Sequence, residues 1–231
     1  MNNRLLMRDA LAEGIGTFML IVFGAGSGVL GAPLALVALA NAMILMAIVA
    51  TYGHISGAHV NPAITLGLLV GGKLDLPRAA AYWAAQLAGG LAGMLVLRSV
   101  IGLSASTNAT FVETTGFFTS VYPFETYLLE GLFTFVLASV YVQTVVFSRA
   151  SLAASLAIGV TFGACFLFGA SLTGASMNPV RTISLALLYN HLNYVPGYVL
   201  ATLAGGALGG WVQCEIFAPR VSGASGAPPS R

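Results

Sequence analysis

The chain has 231 residues, of which 58% are apolar and only 7% are charged, with a formal net charge of +2. Soluble domains carry charge on roughly a quarter of their residues. This composition therefore excludes a soluble domain and indicates a chain surrounded largely by lipid. The small, dispersed charge also argues against a nucleic-acid partner. Cys165 and Cys214 lie in apolar stretches, where they are expected to be small buried hydrophobes rather than a disulfide or a metal site.

Long apolar stretches follow one another along the whole chain, and each approaches or exceeds the roughly 20 residues that span a bilayer as a helix. Two shorter apolar segments begin after Asn61 and Asn178; at about 10–12 residues they are too short to cross, which predicts re-entrant half-helices. A polar loop is expected over 102–123 and a disordered tail over 220–231. The predicted spans are 10–30, 34–54, 78–101, 124–147, 151–171 and 194–217.

The basic residues predict the orientation of these spans. If six spans alternate and the short segments return to their side of entry, most of the Lys and Arg residues fall on one side, and Arg98 and Arg181 are the exceptions. By the positive-inside tendency, the chain is expected to be a multi-pass protein of the cell (inner) membrane, with both termini on the cytoplasmic side. The basic residues on the shared side are Arg4, Arg8, Lys73, Arg78, Arg149, Arg220 and Arg231.

An internal repeat relates the two halves of the chain. Glu13 and Glu130 are 117 positions apart, and so are Asn61 and Asn178; the stretch LAGGLAG at 87–93 recurs as LAGGALG at 203–209. Each unit holds three spans and one half-helix, and because three is odd, the two units must enter the membrane with opposite topology. The predicted organisation is therefore a first inverted repeat over 1–118, a second over 119–219 and the tail over 220–231.

Glycines spaced as GxxxG occur in the third and sixth spans, at Gly89 and Gly93 and at Gly206 and Gly210. This spacing lets helix backbones approach closely in lipid. Such sites serve either packing within the chain or association between chains, and packing within the chain is favoured here.

The two Asn-Pro segments carry the chemistry. Asn is a good helix N-cap, and Pro suits the first turn of a helix, so half-helices are expected to start at Asn61-Pro62-Ala63 and Asn178-Pro179-Val180. In an inverted repeat the positive ends of both half-helices point at the bilayer centre. The two Asn amides would then donate to a passing oxygen, while the helix ends repel cations and protons.

Other polar residues lie at membrane depth. An intramembrane charge suggests function, and Arg181 is interpreted as a pore constriction that donates to solutes and rejects cations. Glu13 and Glu130 are interpreted as acceptors for the re-entrant loops of their own repeats, with a proton relay as the alternative. His59 is expected to be structural, and His54 to line the cytoplasmic vestibule. His191 is expected in an exposed loop.

The motifs SGAHVNPAIT at 56–65, NPVR at 178–181 and AYWAAQLAGG in the third span closely resemble the aquaporin (major intrinsic protein) family. The resemblance covers about 10–217. It implies an all-α membrane protein with six tilted transmembrane helices, two re-entrant half-helices and an inverted internal repeat, assembled as homotetramers with one pore per subunit. Val180 departs from the family, whose second motif usually ends in Ala.

By its spacing, the resemblance also implies a selectivity filter formed by Asn41, Phe166, Ala175 and Arg181. Water-selective relatives typically have an aromatic residue at the first of these positions and His at the second. Glycerol facilitators typically have two aromatic residues and often Asp directly after the Arg, where this chain has Thr182.

Small or polar residues at Asn41 and Ala175 are more similar to the plant nodulin-26-like subgroup and its bacterial relatives. That similarity implies permeation of water together with glycerol, urea or neutral hydroxy-acids of metalloids such as boric or arsenous acid. A strictly water-selective pore is the alternative. The group-discriminating positions that support the subgroup are Thr182, Ala186, Tyr198 and Val199.

Three other function classes compete with a passive channel. A secondary transporter also uses inverted repeats and broken helices, but the symmetric placement of Glu13 and Glu130 argues for scaffolding. An ion channel would need acidic rings or a carbonyl filter motif. No motif for a catalytic residue, cofactor or metal suggests an enzyme.

Overall fold

The computed structural model describes residues 3–101, 123–148 and 152–219, and within these ranges the regular structure is helical, without strands. Six helices are long and apolar enough to cross a membrane. The predicted loop as far as residue 122, the boundary between the repeats and the tail 220–231 lie outside the described residues. In chain order the helices are α1 (Asn3–Val29), α2 (Leu34–Tyr52), α3 (Pro62–Val70), α4 (Leu76–Ile101), α5 (Pro123–Tyr141), α6 (Leu152–Thr173), α7 (Pro179–Tyr189) and α8 (Val195–Trp211).

Three of the long helices contain wider π-helical turns. In α1 these turns lie over Leu20–Ala25, and α5 and α8 are continued by them over Val142–Phe147 and Val212–Ile216. Such turns are rare in proteins, and those that occur often lie at functional sites. In α5 they begin directly after Tyr141, a residue whose side chain faces the interior.

The first helix begins at Asn3, earlier than the expected start near residue 10. The expected start is late because the first turns are charged and have low hydropathy, although contacts within the fold stabilise them as helix. Asp9 is 1% exposed, and its carboxylate accepts hydrogen bonds from Arg8 on the same helix and from Arg78 at the start of α4. A buried carboxylate requires such partners. The Arg78–Asp9 ion pair therefore joins the ends of α1 and α4 on the side predicted to be cytoplasmic.

Helix packing follows the two halves of the chain. Helix α1 packs along α4, and α5 packs in the same way along α8, while α2 meets α6 across the centre. The half-helix α3 packs mainly against α8, and α7 mainly against α4. Each half-helix thus lies against the last span of the other half, and this exchange brings Asn61 and Asn178 together.

Close glycine contacts permit this packing. A Cβ atom placed on Gly206 would lie 2.3 Å from the backbone oxygen of Ala63, and one on Gly210 would lie 2.1 Å from that of Gly67. Gly89 meets the backbone of α1 just as closely. Packing within the chain, as favoured from the sequence, is confirmed for these GxxxG glycines.

Substitution of Gly210 by leucine is expected to separate α8 from α3. The atom in the way is a backbone oxygen, which no side-chain rotation removes, so a penalty at or above the usual 1–3 kcal/mol of overpacking, about 3 kcal/mol, is expected. Thermal stability of the detergent-solubilised protein, followed by size-exclusion chromatography, measures the change. Ala204→Leu, at an exposed position of the same helix, is the matched control; equal melting temperatures of the two variants would contradict the prediction.

Candidate functional site

Both half-helices start at an asparagine cap. The backbone of Asn61 is extended, and its Oδ1 accepts the N–H of Ala63 at 2.9 Å. Asn178 has the same conformation, and its Oδ1 accepts the N–H groups of Val180 at 2.9 Å and Arg181 at 3.4 Å. A proline follows each cap in the first turn, where its missing N–H costs nothing. The side-chain oxygens are thus used by the helices, and the amide nitrogens point elsewhere.

The amide nitrogens cross between the two halves. Nδ2 of Asn61 donates to the backbone oxygen of Met177 at 2.7 Å, and Nδ2 of Asn178 donates to that of Val60 at 2.8 Å. An amide NH₂ has two hydrogens. On each asparagine, one amide hydrogen is used in the bond to the other half of the chain. The second amide hydrogen remains as a donor at the meeting point of the half-helices.

Glu13 holds the first re-entrant loop. Its Oε1 accepts the hydroxyl of Ser56 at 2.6 Å and the N–H of His59 at 2.9 Å. Its Oε2 accepts the N–H of Val60 at 2.6 Å and Nε2 of Gln86 at 2.8 Å. This carboxylate therefore satisfies loop donors that would otherwise be buried and unpaired.

Glu130 makes the equivalent contacts 117 positions later. It accepts the hydroxyl of Thr173 at 2.7 Å and the N–H groups of Ser176 and Met177, each at 2.9 Å. Both oxygens of the carboxylate accept donors of the second re-entrant loop. The same device therefore stabilises both re-entrant loops.

These loops contain non-glycine residues with positive φ. Ala58 and Val60 have φ of 53° and 43°, and Ala175 and Met177 have φ of 43° and 54°. Each such residue costs about 1–3 kcal/mol, so the carboxylate contacts must offset the strain. The sequence carries no composition signal for these four residues, although the 117-residue spacing relates them once one loop is known.

Two tyrosines that sequence reasoning did not single out as loop supports fix backbone oxygens of the same loops. Tyr82 on α4 donates to Ser56 at 2.8 Å, and Tyr198 on α8 donates to Thr173 at 2.7 Å. The tyrosines are 116 positions apart, the spacing that relates LAGGLAG to LAGGALG. That echo was the available signal for their shared role.

The histidines separate by environment. His59 is buried, its Nδ1 lies 3.0 Å from the hydroxyl of Thr65, and its ring packs edge-on against Tyr82 and Tyr141. His54 and His191 are both exposed. The structure thus brings His59 to the re-entrant loop and leaves the other two at the surface.

Arg181 lies against the second re-entrant loop and is 1% exposed. Its Nη1 donates to the backbone oxygens of Ala175 at 3.0 Å and Ser176 at 2.8 Å. The guanidinium carbon lies 5.1 Å from the ring centre of Phe162 and 5.5 Å from that of Phe166. Within the described residues, Nε has no hydrogen-bond partner. A buried cation with one unused donor therefore stands beside two aromatic faces.

Asn41 is fully buried against the first helix. Its Nδ2 donates to the backbone oxygens of Gly24 at 3.1 Å and Val37 at 2.8 Å. Its Oδ1 has no hydrogen-bond partner among the described residues. The contacts that join Arg181 to Phe166 and Ala175 do not extend to Asn41, whose donors are tied to α1 and α2.

A small cavity adjoins the asparagine pair. Its volume is about 20 Å³, and its walls include Asn61, Asn178, His59, Tyr141 and Phe162 beside aliphatic side chains. A cavity of this size holds about one water molecule. The space next to the paired amides therefore has room for about one water molecule and is lined mainly by apolar atoms.

Comparison with known proteins gives consistent results over nearly the whole chain. The family model described as Major intrinsic protein matches residues 1–213. The lens fiber major intrinsic protein of Rattus norvegicus is 36% identical over 224 residues, covering 94% of this chain and 84% of that protein. Aquaporin TIP1-1 of Zea mays is 37% identical over 225 residues, with 91% and 87% covered.

A solved structure has the same fold. The aquaglyceroporin from Plasmodium falciparum superposes with a TM-score of 0.76 over 92% of this chain and 97% of that chain. Its sequence identity is 19%, so this likeness concerns the fold.

Proposed function

This chain belongs to the major intrinsic protein family, whose members are channels rather than enzymes, and on that premise we propose that it conducts water and small uncharged solutes passively while excluding ions and protons. Asn61 and Asn178 would donate to the oxygen of each passing molecule at the centre. Water held by donors from both halves is reoriented there, which interrupts the hydrogen-bonded chain that protons need. The facing N-termini of α3 and α7 add a barrier to cations.

The solute range is the second part of the proposal. The observation that supports it is that the amide of Asn41 is bonded to the backbone of Gly24 and Val37, while Ala175 places only a methyl group beside Arg181. A filter with no bulky side chain at these two positions leaves room for glycerol, urea or boric and arsenous acid, all of which carry oxygen atoms that accept hydrogen bonds from a guanidinium such as that of Arg181. The resemblance of the filter to the nodulin-26-like subgroup supports the same range.

A strictly water-selective channel is the second candidate. The cavity beside the asparagine pair, with room for about one water molecule, favours it.

We also propose a homotetramer in the cell membrane, with both termini on the side of Lys73 and Arg78, as the family resemblance and the charge distribution suggest.

Osmotic-shock experiments on proteoliposomes test the proposal. Stopped-flow light scattering is expected to show fast shrinkage in sucrose, and shrinkage followed by rapid re-swelling in glycerol, urea and boric acid. Asn41→Phe is expected to slow the re-swelling while leaving the fast shrinkage, because an aromatic ring would occupy the space that Asn41 leaves. Fast shrinkage without re-swelling in the wild type would establish the water-selective alternative, and no acceleration over protein-free vesicles would refute the channel itself.

A further inference from the structure

Two aromatic side chains, Tyr141 and His59, lie together beside the small cavity at the asparagine pair. Tyr141, at the end of α5, is 2% exposed, and its hydroxyl donates to the backbone oxygen of Gly57 at 2.6 Å. Its ring lies edge-on to His59, with ring centres 5.6 Å apart. Both side chains also line the small cavity that reaches Asn61 and Asn178. The tyrosine is thus a wall of the passage as well as a support of the loop.

Gly57 lies between the side chains of Tyr141 and His59. Its φ is +95°, and a Cβ placed there would lie 2.9 Å from the hydroxyl oxygen of Tyr141 and 3.0 Å from Nε2 of His59. No side chain fits between them. The hydroxyl of Tyr141 also occupies a loop carbonyl that would otherwise be free to accept a hydrogen bond from a permeating molecule.

The internal repeat shows that this feature has no equivalent in the other half. Subtracting 117 from 141 gives 24, and residue 24 is Gly. In the same way Ile158 corresponds to Asn41, and Ile64 corresponds to Arg181, and both isoleucines line the cavity. One half therefore presents an arginine and an asparagine, whereas the other presents aliphatic side chains and a tyrosine.

We propose that Tyr141 and His59 form a second constriction, on the cytoplasmic side of the asparagine pair, that sets the upper size of permeating solutes together with the filter at Arg181. This inference rests on the proposed channel function. A molecule that passes Arg181 next meets a gap about one water wide between apolar walls, with one of its acceptor carbonyls already occupied. Solutes that make good contacts at the filter are then selected again, by cross-section and by the loss of this acceptor.

Replacement of Tyr141 by leucine tests the constriction. The glycerol-to-water permeability ratio in proteoliposomes is expected to rise about tenfold, which corresponds to about 1.4 kcal/mol in the relative barriers. Tyr82→Leu is the matched control, since Tyr82 also donates to the first loop and packs on His59 but is absent from the cavity wall. The control is expected to lower thermal stability and leave the ratio at the wild-type value.

Tyr141→Phe provides a second, milder test. It keeps the ring, so the glycerol-to-water permeability ratio should stay near that of the wild type. It also removes the hydrogen bond from Tyr141 to the oxygen of Gly57, which frees that oxygen for water, so water permeability should rise at least about twofold. Unchanged water permeability of Tyr141→Phe would contradict the part assigned to the occupied carbonyl. If Tyr141→Leu fails to fold, Tyr141→Val, which also removes the ring, tests the width, and a glycerol-to-water ratio equal to that of the wild type would overturn the constriction.

The outcomes separate this inference from the channel proposal. A conducting wild type whose ratio is the same as in Tyr141→Leu would overturn the second constriction and leave the channel standing. A silent wild type with a conducting Tyr141→Leu variant would show Tyr141 closing the passage, in support of the constriction. If neither protein conducts, both proposals fail.

Discussion

Replacement of Glu130 by alanine is expected to cost about 2–6 kcal/mol of stability, because two buried N–H groups at about 1–3 kcal/mol each lose their acceptor. These are the N–H groups of Ser176 and Met177, which both point at the carboxylate. Met177 also has a φ of 54°, a conformation that the lost bonds would no longer hold. The second re-entrant loop, and with it the cap at Asn178, should lose its fixed shape.

Size-exclusion chromatography of heated, detergent-solubilised protein measures this effect. Glu125→Ala removes an acid from an exposed position in the first turn of the same helix and is expected to change little. Glu130→Gln should fall between the two, since the amide keeps one acceptor oxygen but presents an NH₂ group to the other loop N–H. A Glu130→Ala variant as stable as Glu125→Ala would show that the loop does not depend on the carboxylate.

Replacement of Arg181 by alanine is expected to admit cations and larger solutes. The guanidinium is a fixed charge in a buried site, and a unit charge repels a cation 4 Å away by about 4 kcal/mol at an effective dielectric constant near 20. Its loss could therefore raise cation or proton leak by up to about a thousandfold. The barrier from α3 and α7 remains, so the observed increase should be smaller than this limit.

A pH-sensitive dye trapped in proteoliposomes measures the leak, and re-swelling in glycerol measures the width. Arg98→Ala, at an exposed position in the last turn of α4, is the matched control. Arg181→Lys keeps the charge without the planar donor set, and should reject cations while altering solute permeation. Equal leaks in Arg181→Ala and Arg98→Ala would remove Arg181 from the exclusion mechanism.

Much of the architecture follows from spacing along the chain. Low charge and long apolar runs predict six membrane-spanning helices, which the family match and the structure confirm. Pro62 and Pro179 fix where the half-helices begin, because proline at the first turn determines the start locally. The interval of 117 residues also relates Glu13 to Glu130, whose loop contacts recur at that interval.

Features that depend on the rotation of packed helices were not available from the sequence. Spacing predicts that Asn41 belongs to the filter, but it does not predict that the Asn41 amide is bonded to Gly24, 17 positions away on the first helix. Asp9 looks like a surface acid until α4 brings Arg78 to it. In both cases the decisive partner belongs to another helix.

The sequence by itself determined the membrane class of this protein, the two re-entrant segments and the polar residues at their centre, because helix length, proline and charge act locally. Only the tertiary structure decided that Asn61 and Asn178 bind each other's loops, that Asn41 is bonded to Gly24, and that Tyr141 reaches Gly57. The physical reason is that each of these depends on a side-chain direction set by packing between distant helices, and a one-dimensional pattern specifies the face of a helix but not what that face meets.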